Sequence, residues 1–138
     1  MDWKLEVVTL PVSDLDRARD FYAAKVGFTV DIDDTVNGFR FLQLTPPGSR
    51  CSIHLRQAGS DKPAGSVRDL FLVVDDVRAA RRQLAEQGVA VGEVQVFDAG
   101  EYRPARRGES LDLVGCVFFD DPDGNGWIVQ QIPPRATE

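Results

Sequence analysis

The stretch Val12-Ser13-Asp14-Leu15-Asp16-Arg17-Ala18-Arg19 returns later in the chain as Val74-Asp75-Asp76-Val77-Arg78-Ala79-Ala80-Arg81. Both copies follow one scheme. A valine closes an apolar run, an Asp stands where a helix N-cap accepts backbone N–H groups, and Ala and Arg follow at helical positions. Self-similarity of this kind marks two copies of one supersecondary unit. The chain therefore reads as a repeat.

Outward from the first copy, residues 5–12 read as a strand, with Pro11 marking an edge or a strand end. Ser13 or Asp14 caps a helix whose stripe is Leu15, Ala18, Phe21 or Tyr22, and Val26, and Gly27 stops it. Strands follow over 28–32, 39–44 and 51–55, joined through Asn37-Gly38 and Pro46-Pro47-Gly48-Ser49. The second copy gives a strand over 67–74 and a helix capped by Asp75 or Asp76, with Val77, Ala80 and Leu84 on one face, ending at Gly88. Strands are expected over 89–97, with a bulge at Gly92, then 115–119 and 127–132. The last two are joined by Asp121-Pro122-Asp123-Gly124-Asn125-Gly126, in which Pro122 and Gly124 correspond to Pro46 and Gly48. Residues 98–113 are expected to be irregular, a candidate lid or pocket loop.

The predicted fold is α+β: two tandem βαβββ modules forming a curved mixed sheet with a cleft. Module 1 covers about 4–57, the Gly/Ser/Pro-rich linker 58–66, module 2 about 67–132 and a frayed tail 133–138. At 138 residues the chain is one domain long. It is 43% apolar and 28% charged, a globular balance. The net charge of −6 argues against nucleic-acid and anionic-membrane partners, which need a basic face. Cys51 and Cys116 lie in apolar runs without metal-type spacing and read as reduced thiols. With no signal-like start and no apolar run of about 20 residues, a cytoplasmic location is expected.

Taken together, Val12-Ser-Asp-Leu-Asp-Arg-Ala-Arg-Asp-Phe-Tyr22, Gly27-Phe28, Val74-Asp-Asp-Val77 and Phe119-Asp-Asp-Pro-Asp-Gly-Asn125 resemble the vicinal oxygen chelate superfamily. That group includes glyoxalase I, bleomycin- and fosfomycin-resistance proteins and extradiol dioxygenases. The resemblance covers about 5–132 and implies paired βαβββ modules, a concave sheet and a homodimer. Catalytic members bind a divalent metal at four positions on the first and last strands of each module. Here the resemblance maps these to Val7, to the 51–55 strand, to Asp69 and to Ile128. On the 51–55 strand the repeat offset selects Ser52 and a shorter turn selects His54. Only His54 and Asp69 are plausible ligands, and two rarely make a tight site.

The expected function is therefore a metal-independent small-molecule binder, with an organic ligand in the cleft between modules and no cofactor. The alternative is a lyase, isomerase or dioxygenase using one divalent metal held by His54 and Asp69, with His54, the only histidine, as the candidate catalytic base. Ligand-binding candidates are His54, Asp69, Gln43, Gln130, Val7, Ile128, Tyr102 and Arg103. Gln43 and Gln130 interrupt apolar strands. Tyr102 and Arg103 lie in the long loop, where they suit an aromatic or anionic ligand. Asp121 and Asp123 read as turn residues bonding their own backbone. Phe41 and Trp127 read as core or cleft wall.

Overall fold

The computed structural model describes residues 1–134. The tail expected to fray from Pro133 lies, from residue 135 onward, outside the described residues. The fold is α+β and divides into two compact units. Unit 1 holds Met1–Arg68 together with Asp121–Asn125, and unit 2 holds Asp69–Asp120 and the chain from Gly126. Among the described residues no helix is long and apolar enough to cross a membrane.

Unit 1 contains β1 (Val7–Val12), α1 (Leu15–Asp20), β2 (Thr29–Val36), β3 (Phe39–Thr45) and β4 (Ser52–Gln57). Its sheet order is β1-β4-β3-β2, with β1 parallel to β4 and the other pairs antiparallel. Pro11 lies on the edge strand β1, where a missing N–H costs little. Asp14, of the two capping candidates, accepts the backbone N–H of Arg17 at 3.1 Å. The helix does not run on as regular α-helix to Val26. Phe21–Val26 widen into a π-helical turn that ends at Gly27, whose φ is +92°. Leu10, Val12, Leu42, Leu44 and Leu55 are fully buried, so alternation assigns one sheet face to the core. Asn37 and Gly38, both at positive φ, make the expected hairpin turn.

The Asp121–Asn125 turn belongs to unit 1 through side chains. Asp121 accepts the Tyr22 hydroxyl at 2.8 Å, the Asn125 amide at 2.8 Å, and the backbone N–H groups of Asp123 and Asn125. Asn125 also donates to the Pro11 carbonyl at 2.9 Å and accepts from Val67 N–H. Asp123 accepts the Ser13 hydroxyl at 2.6 Å. The turn reading holds for Asp121, which bonds its own turn backbone, whereas the Asp123 carboxylate bonds Ser13 and Arg17 instead. The 58–66 segment is likewise tied down: Gly65 donates to Pro11, and a Cβ there would meet the Asp123 carbonyl at 2.0 Å, so only glycine fits.

Unit 2 contains β5 (Leu70–Val74), α2 (Val77–Glu86), β6 (Gln95–Asp98), β7 (Glu101–Pro104), β8 (Gly115–Asp120) and β9 (Gly126–Gln131) in the order β5-β9-β8-β6-β7. Asp76 caps α2 by accepting from Ala79. Three expectations are corrected. The first strand begins at Leu70, not 67, because Asp69 takes a left-handed backbone, φ +62°, which ends strand pairing. No strand or bulge runs through Gly92; β6 starts only at Gln95. The 98–113 segment is not wholly irregular. Ala99 and Gly100, both at positive φ, turn the chain back into β7, which adds a fifth strand. Both cysteines are free thiols, Cys116 buried and Cys51 half-buried.

Candidate functional site

In unit 1 the sheet face opposite the core carries Val7 and Thr9 on β1, Phe39, Phe41, Gln43 and Thr45 on β3, and Ser52, His54 and Arg56 on β4. The alternation that buries Leu42 and Leu44 leaves Phe39 and Phe41 exposed. His54 stands beside Thr9 on one side and Gln43 on the other. Its ring stacks on Phe41, centroids 5.9 Å apart and planes 10° apart, and meets Phe39 edge-on. Burial, followed by the positive charge of Arg56, holds the imidazole below its ordinary pKa, so it is neutral at pH 7. Its Nε2 is buried and makes no hydrogen bond. A neutral ring with one uncommitted nitrogen can accept or donate a single bond to an incoming group.

A polar chain crosses the same face. Thr45 bonds Asp31 and lies 2.7 Å from the Ser52 hydroxyl. Asp31 sits at the register break between Val30 and Ile32, and a bulge of this kind re-aims a side chain. Nothing in the sequence marks that bulge. Ser52 is spent in this chain and buried, and His54 is the freer group of the two that sequence left open.

In unit 2 the corresponding face is apolar. A cavity of about 320 Å³ is lined by Phe71, Phe97, Tyr102, Leu113, Val114, Cys116, Ile128 and Gln130. Phe97 and Tyr102, cross-strand partners on β6 and β7, meet edge to face at 5.0 Å. Tyr102 then meets Phe118 at 4.9 Å and 90°. Aromatic pairs in these geometries add about 0.5–1.5 kcal/mol beyond area burial, so the wall is stiff. Burial, with the negative charge of Cys116 and Asp69 adding to it, raises the Tyr102 pKa; the hydroxyl stays protonated and able to donate. Burial pushes the Cys116 thiol up to about 11, which makes it an apolar wall atom rather than a nucleophile. Gln130 donates to the Leu113 carbonyl at 2.7 Å, and Leu113 N–H donates to Gln131. These two bonds hold Leu113 in a left-handed conformation, φ +70°, at the lip of the cavity.

The predicted site residues fall in both units. Val7, Gln43 and His54 share one face of unit 1, and Ile128, Gln130 and Tyr102 line one cavity of unit 2. Asp69 precedes β5 and is exposed. Arg103 is held by Asp98 at 3.0 Å and by Glu109, which it keeps down at a pKa of about 2. That guanidinium braces its own loop. Trp127 faces the core, stacked on Phe119 at 6.1 Å. Phe71, Phe97, Cys116 and Leu113 were missed. The run Leu70-Phe-Leu-Val-Val74 is apolar throughout, so no polar alternation marks which side chains face outward. Phe97 at the end of a predicted strand carried the one available hint.

A family model described as the glyoxalase/bleomycin resistance protein/dioxygenase superfamily matches residues 4–129. Among solved structures, the chain is similar to TnmS3, an antibiotic binding protein from Streptomyces sp. CB03234. The identity is 34% and the TM-score 0.72, over 95% of this chain and 97% of that one. A glyoxalase/bleomycin resistance protein from the same organism also matches, with 34% identity and a TM-score of 0.71 over 93% of this chain and 100% of that one. A superfamily member from Sphaerobacter thermophilus DSM 20745 shares the fold, with 24% identity and a TM-score of 0.70 over 94% and 98%. No match was found among curated proteins.

Proposed function

Since the chain belongs to the glyoxalase/bleomycin resistance protein/dioxygenase superfamily, we propose that it is a metal-independent binder of an apolar, antibiotic-like organic molecule, seated in the unit 2 cavity. The observation that carries this reading is the chemistry of that cavity. Phe71, Phe97, Ile128 and Leu113 supply apolar contact, while the Tyr102 hydroxyl and Gln130 supply a few polar groups for orientation. The antibiotic binding protein at 34% identity supports the ligand class.

The residues present do not fit a divalent metal. Val7 and Ile128 carry no lone pair. His54 lies in an aromatic stack in unit 1, and Asp69 is an exposed residue of unit 2. Among the described residues, no three His, Cys, Asp or Glu side chains gather as a metal-binding group. The exposed apolar residues Ile32 and Val36, on the edge strand β2, support a homodimer. Light scattering of the purified protein measures that directly.

The test is a calorimetric screen of polycyclic and glycopeptide antibiotics, run with and without chelator, on wild type and Phe71→Ala. Binding that is indifferent to chelator and weakened by Phe71→Ala is the expected result. Turnover of a ligand that needs added Mn²⁺, Ni²⁺, Zn²⁺ or Fe²⁺ and is lost in His54→Ala would replace the binder with the enzyme.

A further inference from the structure

A second cavity, of about 230 Å³, lies in unit 1 and is lined by Thr9, Pro11, Arg56, Gln57, Gly59, Asp61 and Lys62. It sits where β1 and β4 end, and its polar groups are unevenly committed. The Gln57 amide donates to the Ser13 carbonyl at 3.0 Å, and the Pro11 carbonyl accepts from Asn125 and Gly65. Asp61 is turned toward Gly59, where a Cβ would meet its Oδ1 at 3.2 Å. The Arg56 guanidinium, the Lys62 ammonium and the Thr9 hydroxyl make no hydrogen bond or ion pair among the described residues. Arg17, Arg19, Arg40, Arg81 and Arg103, by contrast, are each paired with a carboxylate.

Arg56 is nevertheless held in place. Its Cζ lies 5.6 Å from the Phe39 ring centroid, so the planar group rests on an aromatic face with its N–H edge open. A guanidinium oriented by stacking loses less freedom on forming a two-point bond to an oxyanion. Two cations to one carboxylate make the cavity locally positive in a chain whose net charge is −6. The positive charge is felt by His54, whose proton affinity it lowers.

We infer that this cavity is an anion subsite, in which Arg56, with Lys62 and Thr9, takes the carboxylate or sulfonate of a small organic molecule. The site shares no lining residue with the unit 2 cavity. The oxyanion takes the open edge of Arg56, whose face rests on Phe39.

The probes are benzoate, benzenesulfonate and neutral benzamide, titrated at low ionic strength and followed by NMR shifts of the Phe39 and His54 rings. Both anions are expected to bind saturably and benzamide at least about tenfold more weakly, as loss of a charge-assisted bond implies. Arg56→Gln is expected to weaken the anions about tenfold and Lys62→Gln about threefold. Both side chains are exposed, so melting temperatures should be unchanged. Phe71→Ala, in the other cavity, should leave anion binding as in wild type. Equal binding of benzamide, indifference to Arg56→Gln, or no saturable shift in wild type overturns the proposal.

Discussion

His54 and Ile128 occupy corresponding places. Each sits on the last strand of its unit beside a first-strand residue, Thr9 in one and Phe71 in the other. Around His54 the neighbours are Gln43, Phe39, Phe41 and Arg56; around Ile128 they are Cys116, Phe97, Tyr102 and Leu113. The strand order is the same apart from the added β7, so the backbone does not decide what each face can bind. Side chains at the same sheet positions do. One frame presents a mixed aromatic and hydrogen-bonding surface with a charged end, the other an apolar cavity.

The sharpest way to break the contrast is to make the two positions alike. Ile128→Asp places a carboxylate in the apolar wall beside Phe71, Cys116 and Phe97. It is expected to cost about 3 kcal/mol by urea unfolding and to abolish ligand binding. If the variant keeps its stability and acquires a metal, the apolar reading of the cavity fails. Phe71→Ala should reduce ligand affinity about tenfold in calorimetry, the scale of one lost aromatic contact. Leu113→Gly separates fold from site. Relief of left-handed strain should raise stability by about 1 kcal/mol, while the lost wall weakens the ligand several-fold.

His54 sharpens the comparison from the other side. Its pKa is lowered in the folded state, so as pH falls the unfolded chain takes up the proton first. Stability present above the ordinary value of about 6.5 should therefore decline as pH drops below it, until the folded ring titrates too. His54→Gln should flatten the urea midpoint between about pH 7.5 and about pH 5.5. Because no other histidine exists, the part of the slope lost in His54→Gln reports this ring. Ligand affinity in unit 2 should not change with this substitution. The smallest effect is expected of Gln130→Leu, which removes the bond to Leu113 and should weaken binding about twofold to fivefold.

The repeat, the two caps, the turn at Asn37-Gly38 and the number of core strands were legible because each rests on local chemistry: an Asx side chain, a glycine, an alternating run. What escaped was set by tertiary context. Asp69 looked like a strand residue from its apolar successors, yet its backbone is left-handed. The 98–104 hairpin hid because Ala99 precedes Gly100 where Asn or Asp would announce the turn. Arg103 looked available for a ligand, and only the fold brings Asp98 and Glu109 to it. His54 and Ile128 were found by resemblance, but their contrasting surroundings come from strands far apart in the chain.

The turn that clips Tyr22 and Pro11 has a consequence for synthesis. Unit 1 is drawn from both ends of the message: its helix and sheet are translated early, while Asp121 and Asn125 arrive more than fifty residues after Arg68. Until those residues leave the ribosome, the Tyr22 hydroxyl has no acceptor from this turn, and the Pro11 carbonyl lacks its amide donor. The first module cannot mature ahead of the second, and a nascent chain stalled before residue 121 should be open to protease around the 58–66 segment.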